Sequence, residues 1–138
     1  MITELRRYRI KPGRMASWLA FFEEAAREHE PHAIRVEYAG VDRETDTFIW
    51  LRSFADERDR VARKAAFYGA DWWLAHESMA MDHVLEYEVT FLDAALIREG
   101  GRIVPAPANP DGEPAGTTLD GPPDGWMRST RATFVPRA

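Results

Sequence analysis

Glu4, Arg6 and Tyr8 recur at every second position near the start of the chain, and the same spacing returns in Trp50 with Arg52 and in Glu86 with Glu88. A period of two puts each set on one face of an extended strand. Arg35 and Glu37 repeat the pattern. Collected on one sheet face, a guanidinium from Arg6 or Arg52 could hold an anionic or carbonyl group while Tyr8 donated a hydrogen bond. Glu86 or Glu88 could act as a base, since an apolar cavity raises a carboxylate's pKa. Glu4, Arg6, Trp50, Arg52 and Trp73 are thus candidates for ligand binding, with Tyr8, Glu86 and Glu88 candidates for chemistry. The same residues admit a plainer reading. Opposite charges on strands about 5 Å apart can satisfy one another and form an ion-pair ladder that sets the geometry of an assembly. Trp50 and Trp73 would suit the walls of a site for a planar aromatic ligand, whereas Trp18 and Trp72 lie on helical stripes and belong to a core.

The elements that must position these residues are legible in order. Ile2 to Ile10 reads as a strand ended by Lys11-Pro12-Gly13. Met15, Trp18, Leu19, Phe22, Ala25, Ala26 and His29 then recur at helical steps up to Pro31. A second strand, about Ala33 to Val41, alternates Ile34, Val36 and Tyr38 against Arg35, Glu37 and Ala39, and a polar loop joins it as a hairpin to Phe48–Phe54. That third strand is bulky on both parities, which marks a central strand. Asp56, with Asp59 three residues on, signals a helix start; Val61, Ala65, Tyr68 and Trp72 make its expected buried stripe, and Asp71 is expected to cap a shorter helical piece after Gly69. His83 to Leu92 is the last strand. The order strand, helix, strand, strand, helix, strand predicts an α+β, ferredoxin-like domain with sheet order 4-1-3-2 and two main helices on one face. The other face needs a partner, and a second copy of the chain is the simplest.

At 138 residues the chain is long enough for one self-sufficient core. It has no cysteine, which excludes disulfides, thiolate metal sites and a cysteine nucleophile. A net charge of −5 argues against broad nucleic-acid binding. No charged leader and no run of membrane-spanning length is read, so the expectation is a soluble cytoplasmic protein. The four histidines suggest no metal site, because Pro31 interrupts the helix that would align His29 with His32. No phosphate loop or nucleophile elbow is present, and no cofactor is expected. Residues 98–138, rich in proline and glycine, read as an extension to a domain at 1–97, with Trp126 or Phe134 as its anchors.

Glu4-Leu5-Arg6 with Tyr8, Lys11-Pro12-Gly13, Phe48-Ile49-Trp50-Leu51-Arg52 with Phe54 and Asp56, and Tyr68 followed by Trp73 resemble the NIPSNAP family over about Met1 to Ala95. Two features depart from the family pattern: Ser53-Phe54 where a basic-aromatic pair is usual, and the extension to Ala138. The resemblance implies a dimeric α/β barrel in which two ferredoxin-like sheets face one another, with Trp50 turned inward. It implies a homodimer that binds a small molecule or serves as a dimerisation module. The alternative it implies is a cofactor-independent oxygenase or isomerase acting on an aromatic or polyketide-like substrate, and haem binding is a third possibility that needs an axial histidine.

Overall fold

The computed structural model describes residues 1–108 and the short strand Thr133–Phe134. β1 (Ile2–Ile10) leads into α1 (Met15–His29) and a 3-10 turn at Glu30–His32. β2 (Arg35–Asp42) and β3 (Thr47–Phe54) form a hairpin, followed by α2 (Glu57–Tyr68), α3 (Asp71–Asp82) and β4 (Val84–Asp93). The sheet is antiparallel, and its four long strands run β2-β3-β1-β4, the order expected from the sequence. β3 and β1 occupy the centre, which explains why Phe48–Phe54 is bulky on both parities.

Local chemistry sets the helix boundaries. Asp56 Oδ1 accepts from the Asp59 amide at 2.7 Å, and Asp59 Oδ2 accepts from the Ala55 amide at 3.1 Å, a capping box closed by two aspartates. Gly13 has φ +77°, and the turn it permits brings the chain from β1 straight into α1. Asp71 is the first residue of α3; Ala70 holds the cap position and no side chain caps it. The piece after Gly69 is a full helix of 12 residues, so the described residues carry three α-helices.

One parity of the sheet meets the helices. Tyr8 packs edge-on against Trp18 at 5.8 Å, and Phe22 lies against both Phe48 and Trp50 at 4.6 and 4.9 Å between ring centroids. Trp18, Trp50 and Trp73 are fully buried in this core, while Trp72 is half-buried and stacks on Phe21. Two bulges decide which residues join it. A register shift at Glu37 turns Tyr38 opposite Leu51, so Tyr38 leaves the face of Val36 and is 59% exposed. A second shift pairs Ile10 with Val84, burying Val84 where strict alternation would bury Leu85.

The α2 stripe differs from expectation. Val61 and Ala65 are exposed, and the buried positions are Arg60, Lys64, Phe67 and Tyr68. Beyond β4, β5 (Leu96–Glu99) and β6 (Arg102–Pro105) form a hairpin through Gly100 and Gly101, both at positive φ as a tight hairpin turn requires. The boundary drawn at 97 falls inside this hairpin. β7 (Thr133–Phe134) pairs by its backbone with Tyr87 and Glu88 at the edge of β4; Trp126 lies outside the described residues.

Candidate functional site

The alternation of β1 and β3 carries charge into the helix-covered side. Glu4 pairs in register with Arg52, and Arg6 with Trp50. The Glu4 carboxylate is fully buried, and it meets four cations. Oε1 accepts from Arg6 Nη1 and Arg52 Nε, both at 2.8 Å; Oε2 accepts from Arg60 Nη1 at 3.1 Å and Lys64 Nζ at 2.8 Å. α2 supplies the last two because Arg60 and Lys64 lie one turn apart on the face it turns to the sheet. Arg60 is also held by Glu57, one turn back on the same helix.

Aromatic rings and a histidine enclose this cluster. The Arg52 guanidinium lies 4.9 Å from the Trp50 ring centroid, 5.4 Å from that of Tyr68 and 5.8 Å from that of Phe54. Arg6 Nε donates to the Tyr8 hydroxyl at 2.7 Å. His29 Nδ1 lies 2.7 Å from the Ala25 carbonyl, which fixes the proton on Nδ1 and leaves Nε2 to accept from Arg52 Nη1 at 3.1 Å. Trp73 sits further out, against Phe67 and Tyr68, with its indole N–H donating to Glu77.

Electrostatics follow from burial and crowding. Burial alone would push the Glu4 carboxyl up, but Arg52, Lys64, Arg6 and Arg60 outweigh it and hold the group well below the usual carboxylate range. Burial also pulls Lys64 well below an ordinary amine; Glu4 opposes that pull, and Arg52, Arg6 and Arg60 add to it. His29 is drawn down to about 3 by burial and by Arg52, so it is neutral. Tyr8 is pushed up to about 12 by burial and keeps its proton.

The eight candidate residues do not share one face. Glu4, Arg6, Tyr8, Trp50 and Arg52 lie on the helix-covered parity, and Trp73 lies among the helices. Glu86 and Glu88 stand on the opposite parity, paired in register with Arg9 and Arg7, whose guanidinium nitrogens are 3.5 Å from their carboxylates. The expectation that all of them point into one cavity is therefore corrected. Tyr8 lies opposite Tyr87 on β4, and neighbours along a strand alternate faces, so Glu86 and Glu88 are excluded from the side of Tyr8. Trp50, expected to face inward in a barrel, is a core residue beneath α1. Arg60, Lys64 and His29 complete the cluster, although the sequence reading gave them no such place. The available signal was the four-residue step from Arg60 to Lys64, continued by Phe67.

The opposite face, uncovered by helices among the described residues, carries a cleft of about 550 Å³ lined by Tyr38, Leu51, Leu92, Leu96 and Ile97, with Thr3 and Ser53 sharing a hydroxyl hydrogen bond of 2.8 Å at its floor. A smaller one of about 190 Å³ lies along Arg7, Arg9, Glu86 and Glu88. No group of metal-ligating side chains occurs among the described residues.

A four-stranded antiparallel sheet in the order 2-3-1-4 with its connecting helices defines a ferredoxin-like α+β protein. The chain belongs to the NIPSNAP family, whose profile matches residues 3–96. Among solved structures it resembles an uncharacterised NIPSNAP domain protein from Burkholderia xenovorans, at 19% identity over 72% of this chain and 100% of that one, TM-score 0.63. It also resembles a NIPSNAP family protein of unknown function from Agrobacterium tumefaciens, at 21% identity over 67% and 86% of the two chains, TM-score 0.62. A protein described as an antibiotic biosynthesis monooxygenase matches at 16% identity over 68% and 98%, TM-score 0.53. At these identities the likeness is one of fold. No protein of curated function matches the chain. No helix among the described residues is long and apolar enough to cross a membrane.

Proposed function

We propose that this NIPSNAP chain works as a homodimeric barrel in which the bare faces of two sheets meet, and that the cleft on that face holds a small, largely apolar molecule. The observation that carries this reading is the apolar character of the face turned away from the helices. Tyr38, Leu92 and Leu96 are 59%, 39% and 66% exposed around a half-buried centre of Leu5, Ile49 and Leu51. A contiguous apolar surface of this kind marks an interaction site. The Arg7–Glu88 and Arg9–Glu86 pairs flank it and would set register between two copies.

Binding is favoured over catalysis by the placement of the chemical groups. Glu86 and Glu88 are on the bare face beside arginines, and Tyr8 is on the other side of the sheet bonded to Arg6. A base and a hydrogen-bond donor separated by the sheet do not serve one substrate. Leu51→Glu is the direct test, because a lone glutamate on this face is solvated in one chain and buried without a partner in a face-to-face pair. Light scattering on the eluting protein is expected to give twice the chain mass for the wild type and one chain mass for a folded Leu51→Glu variant. A wild-type monomer, or a variant dimer of unchanged mass, contradicts the reading.

A further inference from the structure

The floor of the cleft opposite the helices is polar between apolar walls. Thr3 and Ser53 are register partners on β1 and β3, and their hydroxyls share a hydrogen bond of 2.8 Å. Leu92 stands opposite Thr3 on β4, and Leu51 lies two residues before Ser53 on the same parity, so leucines flank the pair. Ser53 is only 5% exposed. Two hydroxyls carry two protons, and the bond between them uses one. The second proton meets no acceptor among the described residues. A concave site of about 550 Å³ with largely apolar walls and a polar group at its floor has the form of a small-molecule site, in which the polar group fixes orientation and selects the ligand.

The charged residues along the walls narrow that selection. Glu37 and Asp93 are carboxylates, and Arg98 already donates through Nη1 to the Gly101 carbonyl of its own hairpin. A ligand carboxylate would face two like charges against one engaged guanidinium. An uncharged oxygen meets no such repulsion.

We infer that the molecule held in this cleft carries an uncharged oxygen acceptor, a ketone or ester carbonyl, which takes the spare proton of the Thr3–Ser53 pair while its hydrocarbon body lies along Leu51 and Leu92. The inference rests on the reading of the cleft as a ligand site. It makes Thr3 and Ser53 the residues that decide specificity there.

Three naphthalenes of nearly one shape test it by equilibrium dialysis against the full chain: 2-acetylnaphthalene, 2-ethylnaphthalene and 2-naphthoate. The ketone is expected to bind about fivefold tighter than the hydrocarbon, the effect of one uncharged hydrogen bond, and 2-naphthoate weakest of the three. The infrared carbonyl stretch of the bound ketone is expected below its position in a hydrocarbon solvent. The double variant Thr3→Val with Ser53→Ala removes both hydroxyls together, which leaves no orphaned partner and spares the fold. It is expected to lower the ketone to the affinity of the hydrocarbon and return the stretch to its hydrocarbon-solvent position. Equal affinities for ketone and hydrocarbon in the wild type, an unshifted stretch, or a double variant that keeps the preference would overturn the assignment and leave the cleft as a site of purely apolar binding. Tightest binding of 2-naphthoate would overturn the uncharged class. Binding of none of the three would remove the cleft as a ligand site, and this inference with it.

Discussion

Glu4 and Lys64 bond to one another, yet substituting them should have very different consequences. Removing the carboxylate takes away the group that Arg6, Arg52, Arg60 and Lys64 share. Glu4→Gln is therefore expected to cost about 3–5 kcal/mol, the usual effect of breaking a buried ion pair from one side. Lys64→Met removes one of two donors to Glu4 Oε2, and Arg60 still serves that oxygen. It is expected to change stability by no more than about 1 kcal/mol. Urea denaturation of both variants checks the pair; equal losses would show that the carboxylate does not outweigh one of its donors. Acid acts on the same cluster. His29 has its folded pKa lowered to about 3 against an ordinary 6.5, so between those values the unfolded chain binds a proton that the folded chain refuses. Stability then falls as pH drops below about 6.5, by about 1.4 kcal/mol per unit at most from this group. Glu4, lowered in the fold, works in the same direction, its contribution present above its unfolded pKa of about 4.5 and lost as pH falls through the folded value. His29→Gln should flatten the denaturation midpoint between pH 6.5 and 5, and an unchanged slope would remove His29 as its source.

At the level of elements, the helix starts and strand pairs follow from local chemistry, and the Asp56–Asp59 box is the clearest case. Asp56→Ala is expected to destabilise the domain by about 1 kcal/mol through loss of the Asp59 amide bond, measurable by the same denaturation. That box was legible because its two aspartates lie three residues apart in sequence. The β1 span and the helical stripe of Met15, Trp18, Phe22, Ala25 and His29 were legible because each rests on short-range periodicity, and the sheet order because it follows from the order of elements. The facing of the charged residues was not. Glu4 and Arg6 alternate with Leu5 and Arg7, so both parities of β1 mix charge and apolar bulk, and the side that meets the helices is chosen by the partners on α2. Those partners, Arg60 and Lys64, look like solvated residues until the buried Glu4 is known. The bulge at Glu37 was invisible for a related reason, since an extra residue in one strand is defined only by the register of its neighbour. Tyr38, which strict alternation groups with Ile34 and Val36, consequently stands on the face turned away from the helices.

For the whole molecule, one sheet face meets α1 and α2, against which α3 packs, and the other carries Tyr38, Leu51, Leu92 and Leu96 around a cleft. The first face explains the aromatic density and the charge cluster, and both serve stability. The second carries the proposed homodimer. Trp50→Glu, which a barrel-facing Trp50 would have made a test of the dimer, would instead put a carboxylate in the core and unfold the chain. The residue that separates assembly from folding is Leu51. Native mass spectrometry of the purified wild-type chain tests the central claim most directly, with Leu51→Glu beside it. The account predicts a wild-type mass of two chains, with a further increment lost on denaturation when the cleft is occupied, and a single folded chain for Leu51→Glu. A wild-type spectrum of single chains would contradict it.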